Sequence, residues 1–355
     1  MTDKLKKHDS VLQGFGIEYF QRCDYRGEFP EDYFNALKAG DVLYHLITDY
    51  ESACTFSEIA RLIGEFSVSA SLCWVMHNQQ CNAIHQLDEA LYARLKGSQS
   101  LIASATSEYP DTGNMLSNEN GRLRVVREAP VCSSRTHADY FAVSMKYKDQ
   151  TSKERYLVLL PKASVAVVEG VHLSNNRSTC SGPIRIDTLI DPKQVIGKVS
   201  SVFASAFVPI AHIGWMSSYN GGLGGVLARV RSAARTPKSE LRLKVTTELF
   251  SNRIAQAVAL EYTNRCLIQD SLDKNYGATA HSRGASLNII KTEVSRNIRH
   301  AASLLEDALG SKYVMTPFDP LGAEMFCRDA RSASLMVHND MFYREIFDLW
   351  LLKLI

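Results

Sequence analysis

The chain has 355 residues, with 40 Lys and Arg against 38 Asp and Glu, a formal net charge of +2. That balance predicts no nucleic-acid or polyanion partner, and no apolar run approaches membrane length. The polar N-terminus has no apolar signal core, so a cytoplasmic protein is expected. Eight scattered cysteines (Cys23, Cys54, Cys73, Cys81, Cys132, Cys180, Cys266 and Cys327) show no CxxC pair and no His at metal-ligand spacing. Reduced thiols and no metal site are the expectation.

Residues from about Val11 to Gly97 read as helices. Pro30-Glu31-Asp32 marks a helix start with acids in its first turn, and Gly40 is a plausible C-cap. Thr55-Phe-Ser-Glu58 has capping-box spacing ahead of a wide apolar stripe from Ile59 to Cys73. A further helix is expected from Cys81 to Leu95. From Leu101 to Leu189 the pattern changes to short runs rich in Val, Ile, Leu, Tyr and Phe. These are 123–126, 130–134, 140–145, 156–160, 164–168 and 183–189, each bounded by turn residues, and they read as strands.

Helical spacing resumes near Ser200, with long amphipathic patterns over 203–235, 241–270, 286–309 and 323–354. Four helices of that length make a bundle. Gly221-Gly222-Leu-Gly224-Gly225 in the first of them lets a neighbouring helix come close. The expected order is an N-terminal all-α domain over 1–100, a middle β domain over 101–197 and a C-terminal helical bundle over 198–355. The fold class is therefore α+β.

Short motifs add to this order. Thr106-Ser107-Glu108-Tyr-Pro-Asp-Thr-Gly113-Asn114 opens the β module, and Val131-Cys132-Ser133-Ser134 precedes Ala138-Asp139-Tyr140. Ser181-Gly-Pro-Ile-Arg-Ile-Asp187 is followed by Ile196-Gly197, and Arg328-Asp329-Ala-Arg331 lies near the C-terminus. In this order and spacing the chain resembles the acyl-CoA dehydrogenase family over nearly its whole length. The resemblance implies a helical domain, a β-barrel or sandwich domain and a four-helix bundle, with FAD between the last two.

It implies that Gly113 and Asn114 are among the cofactor-binding residues, and that the Thr106–Ser107 backbone and the Ser107 hydroxyl hydrogen-bond the pyrimidine edge of the flavin. Cys132 and Ser133 would face its N5 side. Arg235, reaching across from a second subunit of a homodimer or homotetramer, would meet the pyrophosphate.

The family's catalytic carboxylate is missing. Counting from Arg328-Asp329, its usual position is Val337, and the other usual position falls near His212. His338 is the natural substitute as catalytic base, with His77 as a second candidate. This departure resembles the branch that oxidises acyl thioesters on an acyl carrier protein in polyketide and nonribosomal-peptide pathways, forming hydroxy- or amino-malonyl-type extender units. The alternative is a two-component flavin-dependent monooxygenase of the same fold, which uses Ser and His beside the flavin. Ser133, His77 and His338 are the residues available for that.

Overall fold

The structure, a computed structural model, describes residues 2–107, 114–170, 173–277 and 285–352. Helix α1 (Asp3–Arg26) begins at a Thr2 cap, well before the first apolar periodicity, and is kinked at Gly16. Helix α2 (Glu31–Ala39) starts after Pro30 and ends at Gly40, as its punctuation predicts. Helix α3 (Tyr50–Phe66) is capped by Asp49, whose carboxylate accepts from the Ser52 N–H while the Ser52 hydroxyl returns to Asp49. The Thr55–Glu58 capping box is therefore not used. It lies inside a helix that a stronger signal began one and a half turns earlier. Ser67 closes α3 and caps α4 (Val68–Leu87), so the stripe from Ile59 to Cys73 is two helices rather than one. Asp88 likewise separates α4 from α5 (Glu89–Gly97).

Eight strands follow: β1 (Ile102–Ala105), β2 (Met115–Glu119), β3 (Arg122–Cys132), β4 (Tyr140–Tyr147), β5 (Tyr156–Pro161), β6 (Ala166–Val167), β7 (Gly182–Ile190) and β8 (Val195–Lys198). They hydrogen-bond in the order β6-β7-β3-β2-β4-β5-β8, with β1 also on β4. The runs at 123–126 and 130–134 belong to one strand, with a bulge between Ala129 and Cys132 that takes up Pro130. Parallel to β4, β1 covers Tyr140 to Val143 and β2 covers Lys146 and Tyr147, so Ser144 and Met145 face the point where the chain leaves the sheet.

The C-terminal part opens with α6 (Ser200–Val202) and one π turn over Phe203–Phe207. Then come α7 (Val208–Arg235), α8 (Glu240–Lys244), α9 (Glu248–Tyr276), α10 (Ala285–Leu309), α11 (Ser311–Val314), α12 (Ala323–Asp329) and α13 (Asn339–Leu351). The expected single helix over 323–354 is α12, a 3-10 stretch (Ala330–Ser334) and α13. The break is held by Lys291 of α10. This buried ammonium donates to the carbonyls of Ala333 and Val337 and to Asn339 Oδ1, at 2.9–3.0 Å. Burial lowers its pKa to about 8.

One hydrophobic core runs through the helices and a second fills the sheet. All eight cysteines are free thiols. Among the described residues no helix is long and apolar enough to cross a membrane, and no group of three His, Cys, Asp or Glu could hold a metal.

Candidate functional site

The sheet and the helices meet along the loop from Asn176 to Ser181. Its backbone is forced into shape: Asn176 and Cys180 both take left-handed conformations, with φ of 48° and 49°. For residues with a side chain this costs about 1–3 kcal/mol each, so surrounding contacts must hold it. They do. On the sheet side the Ser134 N–H donates to the Thr179 carbonyl at 2.8 Å. The hydroxyls of Ser133, Ser181 and Thr179 form a chain with spacings of 2.8 and 2.6 Å, and Thr179 donates onward to the Asn176 carbonyl.

On the helical side the Asn176 N–H donates to Asp329 Oδ1 at 2.7 Å, and its amide donates to the Ser332 hydroxyl at 2.6 Å. The phenol of Tyr219, midway along α7, shares that hydroxyl at 2.6 Å. Asp329 also accepts from Ser69 of α4, at 3.5 Å, and lies 3.5 Å from the Arg328 guanidinium. Arg328 in turn holds Asp24 of α1 at 2.5 Å. Burial, and then the nearby Asp329 carboxylate, raise the pKa of Asp24; Asp329 is raised by burial. The Arg328-Asp329 motif is thus the knot joining α1, α4, α12 and the loop.

The end of β1 stands across from this chain. Ser104 and Thr106 hydroxyls are 3.1 Å apart, and Gln80 of α4 donates to Ser104 at 2.9 Å. The Cys132 thiol points to the Ser104 carbonyl at 3.6 Å, tying β3 to β1, and burial pushes its pKa up to about 12. Thr106, Ser107, Cys132 and Ser133 therefore share one end of the sheet. Asn114 sits where the chain re-enters it, its amide oxygen accepting from the Glu128 N–H at 3.0 Å. Gly113 lies outside the described residues.

Other expected site residues stand apart. Arg235 is the exposed last residue of α7, sixteen residues and hence roughly 24 Å along the axis from Tyr219. His338 caps α13; its side chain is 59% exposed and its Nδ1 lies 3.3 Å from Asp340. His77 is fully buried. Its Nδ1 accepts from the Ile102 N–H at 3.1 Å, and burial lowers its pKa to about 3. His212 is buried against Phe342 with Nδ1 3.1 Å from the Leu287 carbonyl, and burial lowers its pKa to about 4. Val337 is half-buried with its carbonyl on Lys291, so the ionisable group bound to that turn is a cation.

Sequence reasoning missed Asn176, Tyr219 and Ser332, whose partners are 43 to 156 residues away. It also missed Arg127, whose guanidinium donates to the Ser107 carbonyl at 2.7 Å. The only signal for the latter was a charge in the inward register of a strand.

No family model matches the chain, and no curated protein matches it. Solved structures do match in fold. Methanesulfinate monooxygenase MsuC from Pseudomonas fluorescens aligns with a TM-score of 0.82 at 15% identity, over 99% of this chain and 98% of that one. Dibenzothiophene monooxygenase TdsC from Paenibacillus sp. A11-2 aligns at 0.79 and 17% identity, over 99% and 97%. XiaF from Streptomyces sp., solved in complex with FADH2 and glycerol, aligns at 0.79 and 15% identity, over 98% and 95%. The chain has the acyl-CoA dehydrogenase-like fold: a helical N-terminal region, a central mixed sheet and a helical C-terminal region.

Proposed function

We propose that this chain is a flavin-dependent monooxygenase that works on reduced flavin delivered by a separate reductase. The carrying observation is the chemistry of the donor set at the junction. Ser104, Thr106, Ser133, Thr179 and Ser181 are neutral hydroxyls, and Asp329 has both oxygens engaged. Such groups suit the polar edge of a flavin ring, and Ser133 and Thr106 would hold it there. Nothing in this set removes a proton from carbon at neutral pH. Bound reduced flavin would itself supply the oxygen chemistry, placing one atom of O2 in the product and releasing the other as water.

The fold matches support this reading: TdsC and MsuC are described as monooxygenases, and TdsC and XiaF were solved with FMN and FADH2. FAD is the proposed cofactor, since Arg235 at the far end of α7 suits the pyrophosphate of a flavin bound to a second copy. A homodimer or homotetramer follows, and α13 leaves Met341, Phe347, Trp350 and Leu351 at least half exposed. A monodisperse 39.6 kDa species in light scattering would contradict assembly.

The test is anaerobic photoreduction of the flavin-loaded protein followed by admission of air. Re-oxidation with an absorbance phase that free flavin lacks is expected. Bleaching of oxidised flavin under argon by butyryl-CoA or a carrier-bound hydroxy- or amino-3-oxopropionyl thioester would instead establish the acyl-thioester dehydrogenase reading. His338→Ala separates the two further. As the base of a dehydrogenase, its loss costs about 10²–10⁴-fold in turnover. As a helix cap it costs about 1 kcal/mol of stability and leaves turnover unchanged, the result expected here. Ser133→Ala removes one hydrogen bond to the ring, about 1 kcal/mol, and should weaken flavin binding roughly fivefold by fluorescence titration.

A further inference from the structure

The inward face of β3 reads Leu123, Val125, Arg127, Ala129, and all four are buried; Arg127 is 2% exposed. A guanidinium in the core register of a strand is costly unless its donors find acceptors in good geometry. The acceptors found are specific. One Nη donates to the Ser144 carbonyl at 2.9 Å and the other to the Ser107 carbonyl at 2.7 Å.

Ser144 lies in the stretch of β4 that neither β1 nor β2 covers in parallel register, between the β4 partners of Ala105 and of Met115. Ser107 lies two residues beyond the end of β1. The planar fork of Arg127 thus spans the split in the sheet and fastens the departing chain to β4. A lysine's single ammonium lacks that fork. At the same point Arg127 acts electrostatically on Cys132, as does Arg135, so its charge reaches one of the residues expected to face the flavin. Gly182 makes room for Arg135, whose Cζ would lie 2.5 Å from a Cβ there.

We infer that Arg127 is a positioning residue of the flavin site: it clamps the Thr106–Ser107 segment against Ser144 and lends the site a buried positive charge. This rests on the flavin reading above and deepens it. Two separable consequences follow. The clamp sets affinity, because an unfastened Thr106–Ser107 segment must be ordered anew each time flavin binds. The charge sets the ring's electron affinity, because a cation near a flavin favours the form carrying added electrons.

The experiment compares wild type, Arg127→Lys and Arg127→Met, each checked for folding by circular dichroism and thermal melting. FAD affinity is measured by fluorescence quenching and the potential of bound FAD by dye equilibration. Arg127→Lys is expected to bind FAD at least tenfold more weakly while keeping a potential near that of wild type. Arg127→Met is expected to lose affinity similarly and to shift the potential to more negative values. If Arg127→Met does not fold, Arg127→Lys decides alone through its affinity. A folded Arg127→Lys that binds FAD as tightly as wild type overturns the clamp. A wild type that binds FAD, with an Arg127→Met that keeps both affinity and potential, overturns the inference and leaves the flavin reading intact. A wild type that takes up no flavin overturns both.

Discussion

Between pH 6.5 and pH 4.5 the protein is expected to lose a few kcal/mol of stability, from a net uptake on the order of one proton or more on unfolding. Four imidazoles are buried, and burial lowers their pKa from 6.5 to about 3 for His8 and His77 and about 4 for His45 and His212. The unfolded chain takes up these four protons as pH falls through 6.5, whereas the folded chain does not, so acid favours unfolding. Asp24 and Asp329, raised by burial, act in the opposite sense: the folded state holds their protons in a range where the unfolded state has released them. Buried Asp319 adds to that opposition.

Four protons against those of Asp24 and Asp329, with Asp319 subtracting further, leave a net uptake of at most about two on unfolding, or up to ~2.7 kcal/mol per pH unit. Two pH units then remove up to ~5 kcal/mol, comparable with the whole stability of some domains. Urea midpoints at pH 7.5, 6.5, 5.5 and 4.5 should fall steeply below 6.5, and a flat profile would contradict the burial of these rings. His8→Phe should flatten the slope by about one proton. Its ring packs edge-on against Trp74 and neither nitrogen reaches a partner in hydrogen-bonding geometry, although the Val42 backbone lies close enough to act on its charge.

Replacing Gly221 with valine should prevent the N-terminal helices from docking on the bundle. Helices α3 and α7 pack backbone to backbone. A Cβ on Gly221 would lie 2.0 Å from the Arg61 carbonyl oxygen, one on Gly225 2.4 Å from that of Glu65, and one on Gly64 2.2 Å from that of Ser218. Overpacking against side chains costs typically about 1–3 kcal/mol, and here the obstacle is backbone that cannot turn aside. The better helix propensity of a non-glycine residue returns at most ~1 kcal/mol. Because the chain between Ser217 and Asn220 also carries Tyr219, the junction with Asn176 would shift too. The measured outcome should be loss of the cooperative melt or a fall of many degrees in Tm. Gly224→Ala is the control, since its Cβ would meet nothing closer than 3.8 Å, and it should melt like wild type or slightly higher.

The glycine run was legible because its meaning is local: four glycines in an apolar helix mark a close approach. Helix α2 was legible for the same reason, with Pro30 and Gly40 punctuating it. Strand β2 was not, because Met-Leu-Ser-Asn-Glu buries only Leu116 deeply and lacks an alternating pattern to detect. The start of α3 was not legible because two valid capping signals competed and Asp49 prevailed over Thr55, and the α3–α4 boundary was not because Ser67 closes one helix and caps the next. The break before α13 depends on Lys291, some forty residues away in sequence, which no window along the chain can see. Ser133, Thr106 and Cys132 were picked out from short motifs and do gather at one end of the sheet. Their continuation through Thr179, Asn176, Ser332 and Tyr219 exists only once the loop is folded between sheet and bundle.

The most direct test of the account is stoichiometric flavin binding at this junction. Purified protein would be dialysed to equilibrium against FAD and, separately, FMN, each oxidised and photoreduced, with Ser133→Ala beside it. About one flavin per chain is expected, FAD in preference to FMN, with a roughly fivefold weaker constant for Ser133→Ala. A folded protein that takes up neither flavin in either redox state would contradict it.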